Sequence, residues 1–524
     1  MKPSSSHRIR RGPALLIVVW ILTALACSLP TQARLRARQA ATEAAIQQAV
    51  LATVQAMTTQ LAATPQAQGT LLPTQPPGVD PSTPVPPPAA VPDGLLYTVQ
   101  PGDTLGALAR RFGVEKHQIQ AEHPLPERGF LPVGLQLVIP DSLDPAPYLL
   151  PLLPDSEVVY SPTAAGFDIQ AFVQQAGGYL NSYQEQVDGI TLSGVQIVQR
   201  AAVENSINPR LLLALLEYRS HWVYGLPGEI TPTDYPIGFQ MSEYRGLSKE
   251  LSLAVRQLNL GYYGWRDGSL TELTFGDGGS ARIAPGLNAG TVAVQYLFSR
   301  LLYESSWQQA LYGERSFAAL YAQMFGDPWA AAAAMGPLLP DGLAQPELAL
   351  PFTVGERWAF TGGPHLAWGV GTPLASLDFA PITGESRCAV SRAWVHAAAP
   401  GVITRADRGV VALDLDGDGW EQTGWVLVYM HVSEQERIPA GSVVNFDDPI
   451  GHPSCEGGSA TGTHVHLARK YNGEWLAADG PLPFELGGWL AVAGERPYRG
   501  YLVRGGRLIS ASVNGESNSV IIRD

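Results

Sequence analysis

The sequence of 524 residues predicts a multidomain protein with a small α/β module, then a mostly α-helical domain, then an all-β C-terminal domain. The chain is too long for one ordinary domain. Residues 65–92 are dense in Pro and Thr, so they cannot bury a core and separate the N-terminus from the rest. From Leu350 onward, short β-like runs alternate with Gly and Pro turns, which predicts strands.

Composition restricts the class of partner. Hydrophobic residues make up 45% of the chain, which is enough for several cores. The formal charge of −13 comes from 34 basic and 47 acidic side chains. This balance argues against nucleic acid, whose phosphates require a basic surface. It is compatible with a cell-wall polymer.

The N-terminus, residues 1–27, resembles an export signal. A basic stretch at residues 7–11 precedes an apolar run at 13–26 that is shorter than a typical membrane span. Three outcomes remain open: lipidation of Cys27, cleavage after a small-residue site at 31–33, or retention as an uncleaved anchor. We favour lipidation, although residues 24–27 form an imperfect lipobox. Each outcome places the rest of the chain outside the cytoplasm, either membrane-anchored or secreted.

Two connecting segments follow the signal. Residues 28–63 are rich in Ala, Gln and Arg, which favours a spacer helix. Residues 64–94 form the Pro/Thr-rich linker, with a reach on the order of 80 Å at the rise of polyproline II. A tethered enzyme that acts on a distant polymer needs such a stalk.

Residues 95–140 form a compact module. A strand at 96–99 leads into the turn at 101–104, and Leu105, Leu108 and Phe112 follow at helical spacing. A second helix is expected over about 115–122, followed by a closing strand that ends at Pro140.

This module resembles the LysM family. The resemblance lies in Tyr97-Thr98-Val99-Gln100-Pro101-Gly102-Asp103-Thr104-Leu105, in Arg111-Phe112-Gly113-Val114 and in Ile139-Pro140. It implies binding of N-acetylglucosamine polymers. The sequence has His123-Pro124 where the family often has Asn-Pro, a departure that bears on affinity more than on fold.

After a predicted linker at 141–165, residues 166–345 are mostly helical in pattern. Asn208 and Pro209 are typical of a helix start, and an apolar helix follows them. The stretch 207–216 resembles the catalytic helix of lysozyme-like lytic transglycosylases, and 238–241 resembles a rearranged form of their downstream Gly-Leu-Met-Gln segment.

The catalytic acid of that family is missing. Arg219 stands where the acidic Glu is expected, and Glu217 lies two positions earlier, on the opposite face of a regular helix. A glycosidase acid must be aimed at the scissile oxygen. We therefore expect a lysozyme-like domain that binds glycan or acts as a spacer without cleaving it.

Residues 346–500 hold six of the ten histidines. His464 and His466 are two apart, so in a strand both side chains point to the same face. His431 ends a predicted strand. His365 precedes Asp378 by 13 positions. Two histidines with a carboxylate form a common catalytic zinc set.

This domain resembles the lysostaphin-type zinc metallopeptidases, which have an early His and Asp, a Tyr-x-His strand and a late His-x-His strand. The long separation between the first two positions resembles the beta-lytic or staphylolysin branch. The resemblance implies that His365, Asp378 and His466 bind Zn²⁺, with His464 as general base and His431 as oxyanion partner. Sequence does not order those last two roles.

Other residues of this domain have structural interpretations. Cys388 and Cys455 are left as a possible pair, and export favours a disulfide. We expect His396 to have a structural role. We expect His452 either to line the cleft or to have no role in the site. Residues 414–419 mimic a calcium loop but lie between two predicted strands, which favours a hairpin turn. Residues 501–524 are interpreted as a C-terminal extension.

These features predict an extracytoplasmic zinc endopeptidase of the cell envelope. Its partners would be peptidoglycan, through glycan strands and stem or cross-bridge peptides, and the membrane, through the N-terminal anchor. Two alternatives remain: a non-catalytic wall-binding protein, and a two-headed hydrolase whose helical domain also cleaves glycan.

Overall fold

A computed structural model of the protein describes residues 90–91, 94–141, 143–144, 146–228, 232–385 and 387–524. The predicted export signal with Cys27, the predicted spacer helix and nearly all of the predicted linker lie outside these residues. No helix in the described part is both long and apolar enough to span a bilayer. Residues 94–504 and 509–524 belong to one compact unit.

The module that resembles the LysM family is a three-stranded antiparallel sheet with one helix. Thr104 caps the helix by accepting a hydrogen bond from the Ala107 amide, and Gly113 ends it at φ 64°. The predicted second helix is wrong: only a 3₁₀ turn, Lys116–Gln118, forms, because the Gln120 backbone pairs with Val138. The elements of the module are β1 (Ala90–Val91), β2 (Gly94–Thr98), α1 (Leu105–Phe112) and β3 (Gln136–Ile139).

The helical domain begins earlier than the sequence suggested. The segment 141–165 is not simply a linker, because Leu152, Leu153, Val158 and Val159 are buried in the core of the helical domain. The domain contains eight helices in the described part: α2 (Ile169–Ala176), α3 (Gly194–Asn205), α4 (Pro209–Ser220), α5 (Leu247–Arg266), α6 (Ala289–Leu301), α7 (Glu304–Tyr312), α8 (Phe317–Phe325) and α9 (Pro328–Met335).

Helix α4 is the central helix of this domain. Asn208 is its N-cap and Pro209 its first residue, as the sequence predicted. Its run of leucines is fully buried, so apolar contacts surround it on all sides. Two short hairpins complete the domain, β4 (Gln184–Val187) with β5 (Ile190–Ser193), and β6 (Glu272–Thr274) with β7 (Ser280–Arg282).

The C-terminal domain is built on one large antiparallel sheet, so the all-β prediction is confirmed. The strands of the domain are β8 (Arg357–His365), β9 (Ser376–Pro381), β10 (Val395–His396), β11 (Gly401–Asp407), β12 (Val410–Asp414), β13 (Trp425–Met430), β14 (Val443–Val444), β15 (Pro449–Gly451), β16 (Val465–Tyr471), β17 (Glu474–Trp475), β18 (Glu485–Leu486), β19 (Trp489–Ala493), β20 (Gly500–Arg504), β21 (Arg507–Ser510) and β22 (Val520–Ile522). The strand order in the large sheet is β14-β11-β12-β13-β16-β9-β8-β22, and β17 pairs with β16.

The boundary at residue 500 is wrong. Val520–Ile522 pairs with Arg357–Ala359 of β8 and closes one edge of the large sheet. Ile521 is buried in the core of the C-terminal domain. The last residues are therefore part of that domain and not an extension of it.

The two faces of the large sheet pack against different cores. Leu427 and Tyr429 on β13 belong to the core of the C-terminal domain itself. Val426, Val428 and Met430 alternate with them and join the apolar cluster of the helical domain. One face of the sheet is thus buried beneath the helices.

Two arginines join the three domains. Arg111 of the LysM module forms an ion pair with Asp103 at 2.8 Å and donates from Nη2 to the Trp265 carbonyl at 2.7 Å. Arg266, at the end of α5, contacts Glu474 of the C-terminal domain through Nε at 2.9 Å. It also donates to the Pro101 carbonyl of the LysM module. Buried polar contacts therefore link all three domains.

Candidate metal centre and cleft

Three neighbouring strands bring one carboxylate and two imidazoles together. His365 ends β8, Asp378 lies on β9 and His466 lies on β16, and β9 is the middle strand of the three. His466 and Asp378 are direct cross-strand partners. Paired residues of an antiparallel sheet point to the same face, so the predicted ligands converge although they are up to 101 positions apart.

The converging atoms have the spacing of a metal site. His365 Nε2 lies 3.0 Å from His466 Nδ1, and Asp378 Oδ1 lies 3.1 Å and 3.2 Å from those two atoms. Ligands at zinc distances in a tetrahedral site are about 3.3 Å apart. Asp378 Oδ1 is buried and accepts no hydrogen bond. A buried carboxylate oxygen that accepts no hydrogen bond and lies beside two imidazole nitrogens fits a site for a divalent cation.

Backbone carbonyls fix both ligand histidines. His365 Nδ1 bonds to the Gly363 carbonyl at 2.8 Å, and His466 Nε2 bonds to the Ala367 carbonyl at 3.0 Å. Because a carbonyl only accepts, each of these nitrogens must carry the proton. The other nitrogen of each ring then offers a lone pair toward Asp378, as metal binding requires.

His431 and His464 flank the triad and are held in the same manner. His431 Nδ1 bonds to the Glu456 carbonyl and His464 Nδ1 to the Gly462 carbonyl, both at 2.8 Å. His464 Nε2 lies 3.8 Å from Asp378 Oδ1, and the two flanking rings are 4.4 Å apart. His464 thus presents Nε2 beside the triad, where it can exchange a proton with a reacting group, and His431 lines the same cleft.

Burial and charge set the ionisation of the cluster. Burial alone would raise the pKa of Asp378, but the adjacent histidines, His365 foremost, hold it well below its ordinary value. Burial, together with the neighbouring His464 and His466, lowers the pKa of His431 to about 4. The centre therefore contains a carboxylate and, at His431, a neutral imidazole at neutral pH.

The centre opens into a cleft of about 950 Å³. The cleft has a wall from the helical domain that the sequence did not predict, formed by Asp188, Arg200 and Glu204. It also includes Tyr498, whose ring stacks on His365 with centroids 4.1 Å apart. Tyr498 lies in the connection between β19 and β20, far along the chain, and no spacing pattern pointed to it.

Cys388 and Cys455 form a disulfide, so the predicted pairing is confirmed. Cys455 directly precedes Glu456, whose carbonyl holds His431. The covalent link therefore anchors one end of the segment that lines the cleft between Glu456 and His464.

The remaining histidines of this domain lie outside the cleft lining. His396 contacts Thr353 Oγ1 at 3.0 Å and the Asp447 carbonyl, which agrees with its expected structural role. His452 bonds to the Ala393 carbonyl at 2.8 Å and to Glu436 Oε2 at 3.0 Å. Both side chains are thus engaged in contacts within the domain.

The acidic segment 414–419 is the turn between β12 and β13, as predicted. Oxygens of Asp414, Asp416 and Asp418 lie within 4.8 Å of one another. Asp414 accepts hydrogen bonds from the backbone amides of Asp416 at 3.1 Å and Gly419 at 2.8 Å. These bonds explain the acidic residues as turn-forming side chains.

Glu217 stabilises the end of α4. Its Oε2 accepts hydrogen bonds from the Val223 and Tyr224 amides, each at 3.0 Å, and Oε1 lies 3.3 Å from His221 Nδ1. Arg219 donates from Nε to the Ile237 carbonyl at 2.9 Å. These hydrogen bonds give the Glu217 carboxylate a structural role and explain why it is buried.

Two protein-family models match parts of the chain. Residues 97–140 match the LysM domain, and residues 151–338 match the family described as LasA, N-terminal domain. The second match covers the helical domain with its corrected start. It supports relatedness to LasA proteins, while the lysozyme-like interpretation of these helices stays a prediction.

Curated relatives are proteases. The chain is 28% identical over 358 residues to "Protease LasA" of Pseudomonas aeruginosa strain UCBPP-PA14, covering 63% of this chain and 75% of that protein. It is 27% identical over 175 residues to "Beta-lytic metalloendopeptidase" of Lysobacter enzymogenes, covering 32% and 92%. A second protein named "Beta-lytic metalloendopeptidase", from Achromobacter lyticus, is 29% identical over 181 residues, covering 32% of this chain and 44% of that protein.

Solved structures with similarity include the M23 metalloprotease pseudoalterin, at 27% identity and a TM-score of 0.28, covering 32% of this chain and 96% of that one. A zinc-containing peptidase from Vibrio cholerae matches at 16% identity and a TM-score of 0.20, covering 27% and 41%. The chain therefore contains a LysM domain and is related to LasA and the beta-lytic metalloendopeptidases, and these relatives, together with the site geometry, support a metal-dependent peptidase.

Proposed function

We propose that the protein is an exported zinc endopeptidase that hydrolyses peptide bonds of bacterial peptidoglycan. The observation that carries this proposal is the arrangement of His365, Asp378 and His466 in an open cleft, with their ligand atoms 3.0–3.2 Å apart. The names of the relatives support a metal-dependent endopeptidase. The LysM match supports a wall glycan as the polymer that is approached.

Under this proposal, His365, Asp378 and His466 hold the zinc ion. Zinc in such a site acidifies a water molecule and polarises the scissile carbonyl. The protein orients both ligand histidines through the Gly363 and Ala367 carbonyls, so little reorganisation is required when the ion binds.

The two flanking histidines move the protons. Each has its Nδ1 proton bound to a carbonyl, so each presents an Nε2 lone pair. We assign His464, the closer to Asp378, as the base that accepts the water proton and passes it to the leaving amine. We assign His431 as the partner of the developing oxyanion. Because its pKa is lowered to about 4 and its Nδ1 proton is bound to the Glu456 carbonyl, Nε2 must take up a proton from solvent, as negative charge develops, before it can donate.

Mass spectrometry of digested peptidoglycan tests this proposal. The full chain should generate fragments with new amino termini, and the His466→Ala variant should generate none. Fragments ending in anhydro-sugars, without new amino termini, would instead identify glycan cleavage. Intact peptidoglycan with both proteins would favour the non-catalytic wall-binding alternative.

We also propose that the LysM module brings the enzyme to glycan strands. The His466→Ala protein, which should not degrade the polymer, suits this test. It should co-sediment with insoluble peptidoglycan, and N-acetylglucosamine oligomers should release it. Failure to sediment would leave the module as a structural part of the three-domain unit.

Export, anchoring through Cys27 and an envelope location belong to the same proposal. They depend on residues outside the described part of the chain, and the disulfide between Cys388 and Cys455 supports an oxidising compartment. Labelling of the expressed protein with a fatty-acid analogue tests the lipid anchor, since Cys27→Ser should abolish the label.

A further inference from the structure

His431 and His464 depend for their orientation on one loop of the C-terminal domain, residues 455–463, which we call the cleft loop. The Glu456 carbonyl accepts the Nδ1 proton of His431, and the Gly462 carbonyl accepts that of His464, both at 2.8 Å. Nearly all of the loop lines the cleft. Its conformation therefore decides where both imidazoles point.

The cleft loop has little support of its own. Glycine occupies positions 457, 458 and 462, and none of the loop residues, all of which the structure describes, belongs to a helix or strand. An antiparallel bridge between Ser454 and His464 closes the loop only at its base. Because glycine has the widest backbone freedom of all residues, such a sequence does not hold one conformation by itself. Neighbouring parts of the domain must set the direction of its carbonyls.

The first half of the cleft loop is fixed around Glu456. The Glu456 carboxylate accepts a hydrogen bond from the Glu434 amide at 2.8 Å. The next residue, Gly457, lies against the backbone of Arg408, because a Cβ added at Gly457 would be 2.6 Å from the Arg408 carbonyl oxygen. The carbonyl that orients His431 is thus held without the second half of the loop.

The second half of the cleft loop is held by a different neighbour, residues 387–391, which we call the anchor loop. Arg387 donates from Nε to the Thr461 carbonyl at 2.8 Å. Thr463 donates from Oγ1 to the Ala389 carbonyl at 2.6 Å. The two contacts therefore restrain the residues on either side of position 462.

The carbonyl between these two contacts is the one that orients His464. Because a peptide group is planar, the direction of its carbonyl follows from the positions of the residues beside it. Restraining both neighbours of Gly462 therefore restrains the Gly462 carbonyl and, through it, the ring of His464. The anchor loop thus acts on His464, while the orientation of His431 depends on contacts elsewhere.

The anchor loop is itself fastened to the base of the cleft loop. Cys388 forms the disulfide with Cys455, the first residue of the cleft loop. The amide of Ser391, whose side chain is buried, donates to the Pro453 carbonyl at 3.0 Å. A covalent bond and a backbone hydrogen bond therefore keep the two loops side by side.

We propose that the anchor loop positions His464: it holds the Gly462 carbonyl, and that carbonyl directs Nε2 of His464 at the metal centre. Thr463 and Arg387 are the positioning residues, and the disulfide fastens the loop to which they bind. All of these contacts lie within the C-terminal domain. The inference rests on the proposed function, in which His464 is the base.

Steady-state kinetics of the full chain on a soluble cross-linked muropeptide tests the role of Thr463. Valine keeps the shape of the side chain but cannot donate to the Ala389 carbonyl, whereas serine keeps the hydroxyl group. We expect Thr463→Val to lose about 10–100-fold in kcat, since displacing a reacting group by on the order of 1 Å can cost about 100-fold. KM, zinc content and melting temperature should stay at parent values. Thr463→Ser should recover kcat to within a few-fold of the parent.

Thr404→Val is the matched control. Thr404 Oγ1 also donates to a backbone carbonyl, that of Ala412 at 3.4 Å, but Thr404 does not line the cleft. This variant should keep the parent kcat. Thr463→Val with the kcat of Thr404→Val would overturn the proposal. A rise in KM at unchanged kcat would also overturn it, because Thr463 would then be a substrate contact.

Arg387→Ala tests the second positioning residue. Because the bond from Arg387 to the Thr461 carbonyl is exposed, its loss should lower kcat by only a few-fold, again at unchanged KM and zinc content. The control is Arg392→Ala, since the Arg392 guanidinium contacts Glu385 at 3.2 Å and not the cleft loop. Equal kcat values for the two variants would contradict the role of Arg387.

A last measurement does not depend on cleavage. In protein labelled with ¹⁵N-histidine, NMR reports which ring nitrogen carries the proton, and His464→Ala identifies the His464 signals. The parent and Thr463→Ser should show His464 protonated at Nδ1, whereas Thr463→Val should show a mixture of both forms. The parent pattern in Thr463→Val would overturn the proposal. The expected patterns in a parent that cleaves no muropeptide would support the positioning and contradict the proposed function, so the two failures are distinguishable.

Discussion

At the scale of single residues, the site is defined by which nitrogen of each histidine faces the cleft. Backbone carbonyls take the protonated nitrogen of His365, His431, His464 and His466. A side chain cannot turn easily when one ring atom is held in this way. The four rings are therefore preorganised before any ligand arrives.

Replacing one ligand should empty the metal site. His466→Ala removes one of three ligand atoms and should contain close to no zinc after dialysis, as measured by atomic emission. His452→Ala is the matched control, because His452 is a buried histidine outside the cleft lining whose partners are Ala393 and Glu436. If His466→Ala retains a full equivalent of zinc, the ligand assignment is wrong.

Replacing a flanking histidine should have a different effect. His464→Ala and His431→Ala should keep zinc and the parent melting temperature but lose turnover by about 100-fold or more, the usual cost of removing a group that transfers protons. Steady-state kinetics on a soluble muropeptide checks this. Rates within a few-fold of the parent would remove both residues from the mechanism.

At the scale of single elements, the sheet of the C-terminal domain contains a buried ionic cluster. Glu421 lies 2.7 Å from Arg405 Nε and 3.1 Å from Lys470 Nζ. Burial alone would raise the pKa of Glu421, but the two cations lower it to about 2 from its ordinary value of 4.5. Lys470 lies on β16, the strand of His466, so the cluster supports the strand that carries a ligand.

This cluster predicts a pH dependence of stability. Because the pKa of Glu421 is lower in the folded protein, the unfolded chain binds the proton more readily between about pH 4.5 and pH 2. The stabilisation is complete above that window and is lost as the pH falls through it.

Glu421→Gln should therefore destabilise the protein by about 3–5 kcal/mol at pH 7, since it leaves Arg405 and Lys470 buried without their partner. The difference between parent and variant should shrink at pH 3. Urea unfolding at both pH values measures it, with the exposed Glu272→Gln as control. A difference that is the same at both pH values would mean that Glu421 is not ionised in the folded state.

The sequence predicted those features that a short stretch of residues determines. The His-x-His spacing identified His464 and His466, the Asn-Pro pair identified the start of α4, and the Asp-rich stretch identified a turn. These features depend on side-chain periodicity or on capping, which short segments determine by themselves.

What the sequence could not predict depends on contacts between distant segments. The pairing of Val520–Ile522 with β8, the stacking of Tyr498 on His365 and the approach of Gly371 to α5 join residues that are far apart. The sequence around Gly371 does not indicate whether this glycine is exposed to solvent or packed against a helix. Only the folded chain distinguishes the two.

At the scale of the whole molecule, three domains share buried contacts and one of them carries the chemistry. Arg111 and Arg266 join the LysM module, the helical domain and the C-terminal domain. The cleft itself has walls from two domains. We therefore expect the full chain to behave as one enzyme with one active site.

The helical domain should contribute no glycan cleavage. The full-length His466→Ala protein, with its peptidase activity removed, should release neither anhydro-muropeptides nor reducing ends from peptidoglycan, because the Glu217 carboxylate is held by the Val223 and Tyr224 amides. Chromatography of the soluble products tests this. Products that disappear when Glu217→Gln is added would make the protein a two-headed hydrolase.

The central claim is that one zinc ion in the His365, Asp378 and His466 site hydrolyses peptide bonds of peptidoglycan. The most direct measurement is a zinc titration of the metal-free full chain, with new amino termini in purified peptidoglycan counted at each step. Cleavage should rise in proportion to added zinc and level off at one ion per chain, and His466→Ala should stay at background throughout. Amino termini released by the metal-free protein or by His466→Ala, or none released at any zinc level, would contradict the claim.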